Sequence, residues 1–300
     1  MASVACIGMT VHDRILSVPS LPTQATKLYA TAVAEAGGGP AATASVAIAA
    51  LGGSARLFGR VGADDTGRVI RAELARYGVD VAGIAELQEA QSAWSAVAVD
   101  AAGERLILNF PGRNLQVPPD WIDPARVAGC GAVLVDMGWP LGGAHALDIA
   151  RRHGIPSVLD ADLGPLPEAA ALIGLAGHVV FSESALRHHS GEMEPGTGLH
   201  ALQRRLPGVV LGVTTGPEGY LWLDGGALHR LRPPEVAVVD TLGAGDVFHG
   251  AYALGLAEGM TLAEAARFAV AAATLKCTRA GGRAGVPSRP EVEAFLAQPW

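Results

Sequence analysis

Asp240-Thr241-Leu242-Gly243-Ala244-Gly245-Asp246 runs straight into an apolar helical stretch from Val247 to Leu256, and this junction decides how the chain is read. Two glycines around an alanine let the backbone turn tightly and present successive N–H groups. A helix N-terminus leaves such donors unpaired, with the positive end of the macrodipole behind them, so a phosphate suits the spot. Asp246, six residues after Asp240, falls in the first helical turn beside it. An acidic residue there is either a base or a helix cap, and a lone Gly-x-Gly-Asp leaves both open. Phosphoryl transfer asks for positioning and charge stabilisation more than for a strong nucleophile, so a weak base suffices. The helix N-terminus is expected to keep Asp246 ionised.

Half of the 300 residues are hydrophobic, enough to bury one large α/β core with at most a small appendage. The net charge of −7, with no basic run, argues against nucleic acid and against an anionic membrane as partners. Cys6, Cys130 and Cys277 lack metal-ligand spacing and are expected to be reduced and buried. The apolar opening is interrupted by His12, Asp13 and Arg14, too early for a signal peptide or membrane span, and a cytoplasmic location is expected. Lysine occurs only at positions 27 and 276, every other basic residue being arginine, which singles out Lys27.

Strand-like and helix-like runs alternate along the chain, the pattern of a mainly parallel sheet with helices on both faces. Strands are expected at Ser3 to Gly8, Arg56 to Arg60, Ala132 to Asp136, Ser157 to Asp160, His178 to Phe181 and Val209 to Thr214. Helices are expected at Ala41 to Leu51, at Thr66 to Tyr77 with Asp64 or Asp65 as cap, and at Ala244 to Glu258 and Leu262 to Lys276. Two segments break the alternation: Arg14 to Ala36, and Ser92 to Phe110 around an Asp100-Ala101-Ala102-Gly103 turn. Neither pairs with a neighbouring helix, and together they can form a small separate sheet. No repeat or linker divides residues 1–300 into consecutive domains.

A rival motif is Gly37-Gly38-Gly39-Pro40-Ala41-Ala42, which matches Gly-x-Gly-x-x-Ala and opens a helix as in an NADP-binding Rossmann unit, with Arg60 placed to accept a 2′-phosphate. Against it, a strand already precedes this one, and the reading leaves Asp240 to Asp246 unexplained.

The heptapeptide resembles the C-terminal signature of the ribokinase/PfkB family of carbohydrate kinases, and the resemblance runs nearly end to end. It implies a three-layer α/β/α domain whose small β-sheet, here residues 14–36 and 92–112, is a lid over the sugar and the surface of a homodimer. By the same resemblance Asp246 is the general base, with Gly243, Ala244 and Gly245 forming the anion hole. Asp13, Gly38 and Gly39 contact the sugar; Thr43 stands where the family has an Asn and keeps only a hydroxyl. Thr215, Gly216 and Gly219 border ATP. The family's magnesium motif Asn-x-x-Glu is replaced at both ends, by Ser182 and Ala185, leaving Glu183 as a magnesium organiser through water or as a plain helix cap. Asp240 and the carbonyls of Ala280 to Gly285 correspond to a site for a monovalent cation such as potassium.

Within that family the chain resembles the sulfofructose kinases at Ala5 to Gly8, Gly37 to Thr43, Gly59 to Gly62, Asp246 to Gly250 and Leu275 to Gly285. Two sulfonate-binding positions match as Lys27 and Asn109, and a third, normally Arg, is Gly138 here. The expectation is an ATP- and magnesium-dependent kinase acting on a primary hydroxyl of a small sugar such as sulfofructose, fructose or a fructose phosphate. The competing class is a catalytically silent sugar or nucleotide sensor, which would have no need of Asp246.

Overall fold

The computed structural model describes residues 1–164 and 166–300. In chain order the elements are β1 (Ser3–Ile7), β2 (Val11–Ser17), β3 (Ala32–Gly38), α1 (Pro40–Ala50), β4 (Ser54–Gly62), α2 (Asp65–Arg76), β5 (Asp80–Leu87), β6 (Trp94–Val99) and β7 (Arg105–Phe110). There follow α3 (Pro124–Ala128), β8 (Ala132–Asp136), α4 (Pro140–His153), β9 (Ser157–Ala161), β10 (His178–Ser182), α5 (Glu183–Ser190), α6 (Pro195–Gln203), β11 (Val210–Thr214), β12 (Tyr220–Asp224) and β13 (Ala227–Leu231). Three helices close the chain: α7 (Ala244–Ala257), α8 (Leu262–Cys277) and α9 (Arg289–Leu296).

Nine strands form one sheet in the order β13-β12-β11-β10-β9-β8-β1-β4-β5, parallel from β5 to β11 and antiparallel at the β12–β13 edge. Helices cover both faces, so the central strands are apolar without alternation. Val4 and Cys6 point into one core with α1, α7 and α8, while Ala5 and Ile7 point into the other, among residues of α4, α5 and α6. Helix α1 is almost all small residues, which lets α7 approach so closely that a Cβ at Gly250 would lie 2.5 Å from the Ala44 carbonyl oxygen. The expected strands and helices all form. Asp64 is the cap of α2, accepting from Gly67 N–H at 2.7 Å. Cys6 and Cys130 are buried thiols, but Cys277 is only half-buried, because it ends α8 where the chain turns out. No helix among the described residues is long and apolar enough to cross a membrane.

The two segments that broke the alternation do make a separate four-stranded sheet, β3-β2-β6-β7, with β2 and β6 parallel and the outer pairs antiparallel. Its first strand begins at Val11 rather than Arg14, so Asp13 lies inside a strand. Residues 18–31 are irregular, since Pro19 and Pro22 remove ladder donors. Gly103, at φ 84°, closes the β6–β7 turn while Asp100 accepts from the N–H groups of Ala102 and Glu104.

Candidate active site

The parallel strands aim their carboxyl ends at one crevice, where ligands bind in open α/β sheets. Asp136 ends β8, Asp160 lies one residue from the end of β9, Ser182 ends β10 and Thr214 ends β11. The N-terminus of α7 enters the same crevice. Gly243 takes the left-handed conformation there, φ 77°, and no side chain among the described residues caps the helix, so first-turn N–H groups remain for an anion.

Asp246 stands in that first turn, but its charge state differs from expectation. Burial of its carboxyl, and then the neighbouring charge of Asp160, push its pKa up to about 7. Desolvation and like charge outweigh the opposing pull of His249 and Arg283. Asp160 is itself raised well above the carboxylate range by burial and by Asp136 and Asp162. His249, one turn along α7, packs its Nδ1 2.7 Å from Gly245 O and 3.4 Å from Asp160 Oδ2, which fixes the first turn of α7 to β9. Burial lowers the His249 pKa.

Across from α7 the small sheet roofs a cavity of about 520 Å³, within the roughly 300–1,000 Å³ usual for small-molecule sites. Asp13, Ser95, Asn109, Glu73 and Arg283 supply its polar wall, and Ile15, Val97 and Ile107 its apolar one. Asp13 is raised above the usual carboxylate range by burial, offset in part by the Ser95 hydroxyl. Gly38 makes room for it: a Cβ there would lie 2.5 Å from Asp13 Oδ2. Gly39, at φ 93°, leaves the backbone close to Met9 and starts α1. Thr43 is buried below, its hydroxyl 3.4 Å from Arg283 Nε. Arg283 also donates to Gly38 O at 2.7 Å and pairs with Glu73 at 2.9 Å.

Lys27 is not brought into this wall. It is exposed in the 18–31 connection, its ammonium 5.1 Å from the centre of the Tyr29 ring. Position 138 has no space for an arginine, because a Cβ on Gly138 would lie 2.7 Å from Met9 Cβ and 3.1 Å from Asp136 Oδ1.

At the end of β11 Gly216 and Gly219 adopt positive φ, and Thr215 donates through N–H and hydroxyl to Gly219 O at 2.8 and 3.1 Å, making a tight turn. Ser182 caps α5 and donates to Asp162 Oδ1 at 2.7 Å. Glu183 is in the first turn of α5, paired with Arg187 on the surface. Asp240 accepts from Leu242 and Gly281 N–H and from Arg105 at 2.8 Å.

The dinucleotide reading fails on geometry. The N–H of Ala41, which would have to receive a pyrophosphate, donates at 3.0 Å to the buried carboxylate of Asp136. Arg60 is buried, donating to the carbonyls of Leu115, Gly8 and Gly138 with its guanidinium over Trp139, and is closed to a 2′-phosphate.

Five residues at the site escaped sequence reasoning: Asp160, His249, Glu73, Arg105 and Arg283 in its wall role. Asp160 carried a usable signal, a carboxylate at the end of a parallel strand. Glu73 and Arg105 carried none, since each is one charged residue among many on a helix or strand.

The sequence pattern of the pfkB family carbohydrate kinases matches residues 1–289. A crystal structure of a candidate ribokinase from Agrobacterium tumefaciens superposes with a TM-score of 0.94 at 37% identity, covering 99% of this chain and 97% of that one. A ribokinase of Bacillus subtilis is 27% identical over 99% of this chain and all of its own length. An ATP-dependent ribose-1-phosphate kinase of Halopiger xanaduensis is 29% identical over 99% of both chains. With the heptapeptide at the mouth of α7, the roofed cavity and a match over nearly its whole length, this chain belongs to the pfkB family of carbohydrate kinases.

Proposed function

We propose that the protein transfers the γ-phosphoryl group of ATP to a primary hydroxyl of a small, uncharged sugar, a pentose or a ketohexose. The observation that carries the choice of a neutral acceptor is that the cations of the cavity wall are already matched. Arg283 is held by Glu73, Arg105 by Asp240, and position 138 has no room for a further arginine. A sulfonate or phosphate tail needs a cation with spare donors. Asp13 and Asn109 offer hydroxyl-scale contacts instead.

In this reading Asp246 takes the proton of the attacking hydroxyl, and the N–H groups of Gly243 and Gly245 hold the oxygens of the transferring group, Ala244 N–H donating to Thr241 O at 3.1 Å. The turn from Thr215 to Gly219 borders the nucleotide. Asp160, one residue from the end of β9, and Asp162 just past it are the carboxyl groups that would accept hydrogen bonds from the water shell of a magnesium ion on the ATP phosphates. Glu183, in the first turn of α5 behind the Ser182 cap, is tied to Arg187 and takes no part in this site.

A sulfonated or phosphorylated ketose is the second reading, and it is favoured by Lys27, the one exposed lysine, on the connection between two strands of the roof. A coupled assay for ADP over ribose, fructose, sulfofructose and fructose 6-phosphate separates the two. Turnover confined to the anionic sugars, and lost in Lys27→Ala, would reverse the choice.

The small sheet also has an outer face. Ile107, itself 54% exposed, and Asn109 line the cavity, while alternation turns Leu106, Leu108 and Val33, at 42%, 65% and 71% exposed, to the other side. We propose that this apolar face pairs with its copy to make a homodimer.

A further inference from the structure

Asp240 and the loop after α8 are where the family resemblance puts a monovalent cation, and the residues of this chain do not fit one. Lys276, in the last turn of α8, is completely buried. Its ammonium lies 2.9 Å from the Asp240 carbonyl oxygen, 3.5 Å from the Arg279 carbonyl oxygen and 3.6 Å from Asp240 Oδ2. An ion bridging the signature to the C-terminal loop would draw on these same oxygens. The carboxylate is taken as well: Oδ1 accepts from Leu242 N–H and from Arg105, Oδ2 from Gly281 N–H. A potassium ion entering here would meet a buried ammonium and a guanidinium at close range, with the shared oxygens already bonded.

We infer that Lys276 is a tethered replacement for the monovalent cation, so that the protein orders its anion hole without potassium. An ammonium is a compact charge with three donors and can gather carbonyl oxygens from separate segments as a small ion does. Here it draws in the Asp240 carbonyl, whose segment also donates from Val239 and Asp240 N–H to Cys277 O at 2.8 and 3.2 Å. On the other side it holds the start of the loop that closes through Gly285 N–H to Gly281 O at 2.7 Å and delivers Arg283 to the sugar cavity. Lys276 touches neither sugar nor nucleotide. It is a positioning residue, acting on Gly243 through Asp240 and on Arg283 through the loop. A lysine at this point cannot dissociate, so the site is occupied whatever the salt.

The consequence for turnover rests on the kinase reading above; the consequence for ion binding does not. Both are read on the full-length protein at matched ionic strength in potassium, sodium, ammonium and tetramethylammonium chlorides. The parent should have one Tm in potassium and tetramethylammonium and kcat/KM equal within about twofold. Lys276→Ala and Lys276→Met should lose activity in tetramethylammonium and recover it saturably with potassium or ammonium by about tenfold or more, the range of an ordinary coupling between sites. Their Tm should rise with potassium over the same concentrations. A merely structural lysine would give loss without rescue, and that result overturns the inference. So does a parent whose Tm climbs saturably with potassium, or whose turnover falls more than about fivefold without it. Full activity of folded Lys276→Met in tetramethylammonium overturns it too. If neither variant folds, the parent's two measurements decide. If no sugar is turned over in any salt, the kinase reading fails while the Tm comparison still decides the fate of the ion site.

Discussion

Arg105 Nη2 lies 2.8 Å from Asp240 Oδ1, and this single contact joins the roof of the cavity to the loop that opens α7. Arg105 begins β7 and Asp240 begins the heptapeptide, so the roof is latched to the segment that leads into α7. The pair is partly exposed, with a third of the arginine side chain in solvent, and is worth only about 0.5–1 kcal/mol. Arg105→Ala is therefore expected to raise the sugar KM by roughly two- to fivefold, with a smaller change in kcat. Steady-state kinetics at low and high salt provide the check, since the parent should drift toward the variant as salt screens the latch. An unchanged KM would mean the roof closes without it.

Asp246→Asn should lower kcat by roughly 10² to 10⁴ while leaving sugar binding near normal, because Asn also serves well at a helix N-terminus. The same change should stabilise the fold at alkaline pH. Asp246 has a folded pKa of about 7 against an ordinary 3.8, so between those values the folded state binds more protons than the unfolded one. Its favourable contribution is complete at the acid end and is lost as pH rises to 7. Removing the charge should make the variant melt above the parent at pH 8, with the gap closing toward pH 4. Thermal melts across that range test this independently of turnover.

The pH profile carries a separate expectation. A base must be ionised, so kcat/KM of the free enzyme should fall tenfold per unit below about pH 7. Asp160's negative charge is the second cause of the high value, after burial. Asp160→Asn should move the acid limb to lower pH, and a limb that stays in place would leave burial as the whole cause.

Much of this arrangement was legible from the sequence because it is local. The turn at Gly243, the helix behind it, and the apolar runs of β8 to β11 are each dictated by neighbouring residues. Asp246 was found by its place in a heptapeptide, and Asp13 with Gly38 and Gly39 by resemblance. What sequence could not supply is long-range juxtaposition. Arg283 and Glu73 are 210 residues apart and meet in the cavity wall; Lys276 reads as one more basic residue in a helical last turn until its ammonium is seen under Asp240. The charge state of Asp246 was misread for the same reason. The helix N-terminus is visible in sequence, whereas the crowding by Asp160 from β9 is a property of the folded crevice.

The contact between α1 and α7 gives a prediction about the scaffold. Gly250→Ala puts a Cβ 2.5 Å from the Ala44 carbonyl oxygen, and backbone cannot rotate away as a side chain would. The helices must separate, at a cost of about 1–3 kcal/mol. Because α7 also carries Asp246, the base of the proposed reaction, this variant should lose kcat along with stability. Restored kcat at low temperature, where the variant is still fully folded, would show that the displacement does not reach the first turn.

The outer face of the small sheet carries the last prediction. Strand alternation sends Ile107 and Asn109 into the cavity and Leu106 and Leu108 the other way, and Leu108 is 65% exposed there with Val33 of β3 at 71%. Apolar side chains on a sheet that already has one buried face are a liability in a monomer. Pairing two copies face to face would bury them, and would also hold the roof strands flat over both cavities. Leu108→Glu places a charge on that face, along its β7 edge, without touching the cavity side. It should convert a dimer to a monomer in light scattering after size exclusion, and raise the sugar KM through a looser roof while leaving the Tm of the large sheet unchanged. A parent that is monomeric at micromolar concentration removes the dimer, and a monomeric variant with unaltered KM separates dimerisation from closure.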